Sequence, residues 1–368
     1  MEDTLRILVV DDSALYRQLV KNVLRDVPGV EVVGSARGGQ EALDMVSELD
    51  PELLTLDVRM PDMDGIAVLR ELKRRRARAR AIMLSSLTAD GAQVTTDALL
   101  EGAFDFIQKP GGTDVVSNRA ALQEALVEKT NAFRAGLRNR SGRRSGLSTT
   151  GRAVESPSGR PSDEAETEGP VATGFRCEAI AIATSTGGPV ALREVLPALP
   201  GDLPVPVFIV QHMPPQYTHS LAERLNQVCP MEIVEGVDGM AVEAGFAYIA
   251  PGGRQMKVEK RAGKHRIRIT DDPPEQSCRP SADYLFRSLA EVYQGQVLGV
   301  VMTGMGRDGT AGCRELRQRG GYVIAQHADG CTVYGMPKAV IDERLANSVV
   351  RLDRLADKVA SRVRLSRE

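Results

Sequence analysis

Two series of short apolar runs, each alternating with amphipathic stretches and separated by one polar stretch, constrain this chain more than any other feature. From residue 5 to about residue 138, "LRILVV", "VEVVGSA", "PELLTL", "RAIMLS" and "FDFIQ" read as strands, and "YRQLVKNVLRDV", "AVLRELKRRR" and "TTDALLEGA" as helices. From residue 175 the strands are "CEAIAIAT", "VPVFIVQ", "FAYIAP", "HRIRIT", "QVLGVVMT" and "GYVIAQ", with "YTHSLAERLNQ", "SADYLFRSLAEVY" and "TAGCRELRQRG" as helices. Strands alternating with helices call for right-handed βαβ units and a parallel sheet. Residues 138–174 are rich in Ser, Gly, Arg and Pro, basic at first and acidic around "DEAETEG". With almost nothing apolar to bury, such a stretch cannot offset its ordering entropy and reads as a flexible tether. The expected fold class is α/β: two doubly wound parallel-sheet domains, residues 1–130 and 175–368, with the linker across 131–174.

Composition removes several function classes. Lys+Arg number 47 and Asp+Glu 49, a formal charge of −2, so no global field favours nucleic acid or an anionic membrane. No apolar run approaches the roughly 18–20 residues that cross a bilayer. The start "MEDTLRILVVDDS" is acidic and strand-like and shows no signal peptide. The five cysteines are scattered without a CxxC pair, and the four histidines show no i,i+4 pairing. Spacing therefore suggests neither a disulfide framework nor a zinc site, and a reducing cytoplasm fits.

Three carboxylates fall at strand ends of the first series: Asp11 and Asp12 after "LRILVV", and Asp57 closing "LLTLD". Ligands of open parallel sheets bind outside these carboxyl ends, and gathered carboxylates repel unless a cation sits among them. Hard oxygen donors suit Mg²⁺. Ser85 and Lys109 arrive at the same edge from later strands, offering a hydroxyl and an ammonium to a phosphoryl group. With "VVDDS", "LDVRMPDMDG", "MLSS" and "FDFIQKP", residues 5–125 resemble the receiver domain of two-component response regulators, a flavodoxin-like fold. The resemblance implies that Asp57 accepts phosphate from a phosphohistidine and that Asp12 and Asp57 bind Mg²⁺. Asp11 would help through water and Arg59 through its carbonyl, and Phe106 matches an aromatic position that moves on activation.

In the second series, "IAIATSTGGPVAL" carries Ser185 on a Gly-rich strand-to-helix turn, which suits either a nucleophile or a phosphate cradle. No G-x-x-x-x-G-K-[ST] run occurs. "GMGRDG" at 304–309 matches a dinucleotide motif literally, but Asp308 inside it opposes an anion. An acyl-transfer serine needs a base and an orienting acid. His212 and Asp308 both follow apolar strands at the same edge, with His327 as rival base; His219 reads as helical and exposed, His265 as part of a hairpin. The order Ser…His…Asp differs from that of α/β-hydrolases.

Six ordered blocks, "ATSTGGPVAL", "VFIVQHMPPQYTHSLAERL", "YIAPGGRQM", "RPSADYLFRSLA", "VVMTGMGRDGTAG" and "YGMPKAVI", resemble the methylesterase domain of CheB-type chemotaxis response regulators. The resemblance implies a Rossmann-like domain with Ser185 as nucleophile, His212 as base, Asp308 as orienting acid, and Thr186 and Met305 shaping the oxyanion site. It implies hydrolysis of glutamyl γ-methyl esters on the cytoplasmic domains of chemoreceptors, with no cofactor at the esterase site and a CheA-type histidine kinase as phosphodonor. It further implies that the unphosphorylated receiver restrains the esterase. One departure is Ala183-Thr184, where the family usually has Gly-Ala before the serine, so glycine's access to positive φ is lost. A signalling adaptor with an idle effector domain, and deamidation of receptor glutamines at the same site, stand beside this reading.

Overall fold

The computed structural model describes residues 4–86, 88–111, 114–144 and 174–367. The chain divides into two compact units, and its elements follow in two successive series, each with its own sheet. In the first, β1 (Leu5–Val10), α1 (Ala14–Arg25), β2 (Val30–Ala36), α2 (Gly39–Leu49), β3 (Leu53–Asp57), α3 (Gly65–Arg74), β4 (Arg80–Ser85), α4 (Ala89–Leu100), β5 (Asp105–Gln108) and α5 (Val115–Arg144) alternate throughout. The strands pair in parallel in the order β2-β1-β3-β4-β5, the flavodoxin-like arrangement. β3 is buried at every position and β1 at all but one, as a sheet covered on both faces requires. Side-chain caps start the helices: Ser13 accepts from Tyr16 N–H, Asp64 from Ala67 N–H and Thr88 from Gly91 N–H. Such a cap contributes about 1 kcal/mol.

α5 runs on through residues 131–144, the opening part of the stretch assigned to the tether. Residues 145–173, which hold the rest of that tether, lie outside the described residues.

The second series contains β6 (Ala179–Thr184), α6 (Gly188–Val195), β7 (Val207–Gln211), α7 (Tyr217–Asn226), β8 (Glu232–Glu235), β9 (Phe246–Ile249), β10 (Gln255–Arg261), β11 (Lys264–Thr270), α8 (Ala282–Val292), β12 (Val297–Val301), α9 (Thr310–Gln318), β13 (Tyr322–Gln326), α10 (Met336–Asp342), β14 (Ser348–Val350) and α11 (Leu352–Leu365). Seven parallel strands run β14-β13-β12-β6-β7-β9-β8. The sheet winds outward from β6 in both directions, a Rossmann-like plan with the switch point beside β6. Alanines 179, 181 and 183 on one face of β6 leave room for Ala282, Leu285 and Phe286 of α8 in a common core.

"HRIRIT" does not join this sheet. As β11 it pairs antiparallel with β10 in a two-stranded ribbon, which its strict alternation of apolar and charged residues suits. Among the described residues no helix is long and apolar enough to cross a membrane.

Candidate active site and receiver site

At the switch point of the first sheet, β1 delivers Asp11 and Asp12 and the neighbouring β3 delivers Asp57. One carboxylate oxygen from each lies within 4.8 Å of the others. Asp11 is fully buried and Asp57 nearly so, while Asp12 is exposed. Lys109, just past β5, places Nζ 2.7 Å from Asp11 Oδ2 and 2.9 Å from Asp57 Oδ1. Burial raises the Asp57 carboxyl above its ordinary range, outweighing the lowering by Lys109, and the charges of Asp11 and Asp12 add to the rise. This oxygen-only donor set, with one ammonium among three carboxylates, fits a hard divalent cation.

The remaining receiver positions are spread more widely. Ser85 is buried, its Oγ accepting from Thr95 Oγ1 at 2.6 Å and lying 3.3 Å from the Gly91 carbonyl to which it donates. Phe106 is buried on β5. The Arg59 guanidinium reaches Asp90 at 3.6 Å, so any part of Arg59 in cation binding falls to its backbone carbonyl.

In the second sheet, Ser185 follows β6, His212 follows β7 on one side, and Asp308 follows β12 on the other. Backbone bonds lock these strand ends together: Ser185 N–H donates to the Thr303 carbonyl at 3.0 Å and His212 N–H to the Thr184 carbonyl at 3.1 Å. Gln211, which sequence reasoning missed, fixes the turn. Its Nε2 donates to the Ser185 carbonyl at 3.0 Å, and its Oε1 accepts from Thr184 Oγ1 at 2.8 Å. A Cβ on Gly188 would come within 1.9 Å of that Oε1, so the close approach demands glycine there.

The Ala183-Thr184 departure is absorbed by the same arrangement. Both residues lie in the extended β6, and the left-handed turn conformation falls on Gly187 with φ 79°. Thr184 then supplies a satisfied buried hydroxyl rather than strain.

His212 Nε2 meets Asp308 Oδ2 at 2.7 Å. Asp308 is itself gripped by the start of α8: Ser281 Oγ donates to it at 2.8 Å, Ala282 N–H at 2.7 Å and Asp283 N–H at 3.0 Å. Gly309 N–H donates at 3.0 Å as well. Burial alone would raise this carboxyl, but the His212 interaction and the amide donors more than offset it and hold it below its ordinary range. Asp308 thus caps the N-terminus of α8, and its carboxylate inside 304–309 opposes a pyrophosphate in that loop.

On the opposite ring edge, His212 Nδ1 lies 3.8 Å from Cys278 Sγ. Burial lowers the His212 pKa, yet the hydrogen bonds with Asp308 and Cys278 prevail and push it up to about 9. Among the described residues Ser185 Oγ makes no hydrogen bond to His212; such catalytic contacts are often long before substrate binds. Gly304 packs on the serine, since a Cβ there would lie 2.8 Å from Ser185 Cβ. Thr186 is buried, and Met305, the next residue after Gly304, is 39% exposed.

The rival base is engaged elsewhere. His327 Nδ1 accepts from Asp329 N–H at 3.2 Å, away from Asp308. His219 sits on α7 opposite Glu223 at 3.4 Å, and His265 sits on β11. Cys278 and Ser281 gave no sequence signal of their own, because only the fold brings the 275–281 segment against the ends of β7 and β12.

A receiver with a switch-point carboxylate cluster, joined to a Rossmann-like hydrolase-type domain, is the class of protein that fold and sites define. The response regulator receiver domain model matches residues 7–121 and the CheB methylesterase model residues 180–359. A curated relative from Desulfotalea psychrophila, named protein-glutamate methylesterase/protein-glutamine glutaminase, is 46% identical over 98% of this chain and 99% of its own length. One of the same name from Pseudoalteromonas atlantica is 42% identical over 95% of this chain and 96% of its own. The crystal structure of the Thermotoga maritima CheB methylesterase catalytic domain is 37% identical, with TM-score 0.50, covering 50% of this chain and 98% of that one. The chain belongs to the CheB methylesterase family, with an N-terminal receiver domain.

Proposed function

We propose that this chain is a protein-glutamate methylesterase and protein-glutamine glutaminase acting on the cytoplasmic domains of methyl-accepting chemoreceptors, under the control of its receiver. The observation that carries the reading is the His212–Asp308 pair, 2.7 Å apart, beside Ser185 at the switch point of the second sheet.

Asp308 holds the Nε2–H edge of the ring, which leaves the Nδ1 lone pair to accept a proton. Ser185 Oγ attacks the γ-carbonyl carbon of a glutamyl methyl ester while its proton passes to Nδ1. The tetrahedral oxyanion is received by backbone N–H groups at Thr186 and Met305. Nδ1 returns the proton to the departing methoxide, methanol leaves, and an acyl-serine remains. Water then attacks with His212 again as base, and glutamate is released. A glutamine side chain at the same site would lose ammonia instead.

In the receiver, Asp57 accepts the phosphoryl group from a CheA-type histidine kinase. Asp11, Asp12 and Asp57, with the Arg59 carbonyl, would hold Mg²⁺, whose charge neutralises phosphoryl oxygens when bound. Lys109 Nζ already spans Asp11 and Asp57 and would partner a phosphoryl oxygen. Bringing Ser85 Oγ to the same group costs its bonds with Thr95 and Gly91. Phe106 follows as the switch residue, and the setting is the cytoplasm.

Methanol release from methylated receptor, measured with and without acetyl phosphate, tests the reading. Release by the wild type that rises with phosphodonor supports it. No release by a folded chain in either state would favour an adaptor with an idle effector domain.

A further inference from the structure

His212 presents an arrangement that triad chemistry does not require. Asp308 occupies Nε2 at 2.7 Å, and Cys278 Sγ faces Nδ1 at 3.8 Å. One donor atom from each of the three residues lies within 4.8 Å of the others. Cys278 is a free thiol and half-buried, so small solutes can reach it.

Metal chemistry fits these distances. Zinc binds imidazole nitrogen at about 2.0–2.1 Å and thiolate at about 2.3 Å, which at a tetrahedral angle sets N and S about 3.5 Å apart. The observed 3.8 Å needs to close by only a few tenths of an ångström. Metal-bound histidines commonly donate the other ring N–H to a carboxylate, which fixes the tautomer and strengthens the ligand. Asp308, itself held by four donors, fills that role for Nδ1. A mixed thiolate and imidazole pair selects zinc-like ions over Mg²⁺.

We infer that His212 Nδ1 and Cys278 Sγ form a site for Zn²⁺, with Asp308 as the carboxylate behind the histidine and water or a substrate carboxylate in the remaining positions. The Cys278 thiol proton leaves to solvent as the metal binds. The ion takes the lone pair that would accept the Ser185 proton, so zinc switches the hydrolase off reversibly. That inhibition rests on the esterase reading; the metal site does not. The site escapes motif spacing because its two ligands lie 66 residues apart in the chain.

Co²⁺ as a spectroscopic stand-in provides the test on the full, chelator-treated chain. A thiolate-to-cobalt charge-transfer band at one equivalent, bleached by Zn²⁺ and absent in Cys278→Ser, is the expected result. Co²⁺ at the receiver carboxylates gives no such band, since that site lacks sulfur. Zn²⁺ affinity should fall at least about tenfold in Cys278→Ser. Zinc inhibition, taken relative to each variant's own metal-free rate, should weaken by the same factor. No band in the wild type, or a band that persists in Cys278→Ser, overturns the site. A Cys278-dependent band in a chain that hydrolyses no ester would uphold the metal site and overturn the esterase reading. Hydrolysis without the band would do the reverse.

Discussion

Both sheets place buried aspartates at a switch point, yet the two sites treat them in opposite ways. Asp57 lies among like charges with a single lysine, and burial leaves its carboxyl raised. Asp308 accepts from one hydroxyl, three backbone amides and an imidazole, and its carboxyl is depressed. The first is a carboxylate short of donors, suited to take a group or share a cation. The second has its oxygens engaged, suited to orient a neighbour and undergo no change itself. Topology supplies the position; the donors around each carboxylate decide what it does.

The sharpest way to break this contrast is to remove the reacting atom on each side. Ser185→Ala should lower ester hydrolysis by about 10⁶-fold while leaving labelling by acetyl phosphate intact. Asp57→Asn should abolish the labelling and leave basal hydrolysis standing. Hydrolysis near the wild-type rate in Ser185→Ala would refute the nucleophile. Asp308→Asn keeps the shape but mispairs the ring tautomer, and methanol release should fall about 10⁴-fold. An effect no larger than that of His327→Ala would end Asp308's role as orienter.

A third prediction concerns pH. With His212 pushed up to about 9, its neutral form, the form able to accept a proton, gains population as pH rises through that value. In chelator-treated protein kcat/KM should therefore climb with pH and level off above about 9. Cys278→Ala removes one of the interactions that raise this pKa and should move the limb to lower pH. A limb that stays in place would show that Asp308 alone sets it. The smallest effect is expected from Ser281→Ala, which removes one of the donors to Asp308 and the α8 cap on Tyr284 N–H. Urea unfolding should register a loss of about 1–3 kcal/mol, with the backbone donors still orienting the acid.

Much of this was legible in the sequence, for physical reasons. Fully buried parallel strands are continuous apolar runs, so "AIAIAT", "VFIVQ" and "VLGVV" stand out, and the residues just after them are the candidates for the site. β8 ("EIVE") and β14 ("SVV") at the sheet edges are too short and too mixed to signal themselves. "HRIRIT" stands among the candidate strands, and the hairpin expected around His265 is the β10–β11 ribbon, whose period of two suits two unlike faces. The partners of Asp308 are invisible in the sequence because backbone N–H groups belong to every sequence; only the placement of α8 aims two of them at one carboxylate, beside the neighbouring Gly309 N–H.

The segment from Cys278 to Ser281 touches both ends of the His212 system, the thiol at Nδ1 and the cap beneath Asp308. It works like the jaws of one vice, so anything that shifts it moves His212 and Asp308 in a single stroke. Four residues could therefore retune the His212–Asp308 pair without touching Ser185.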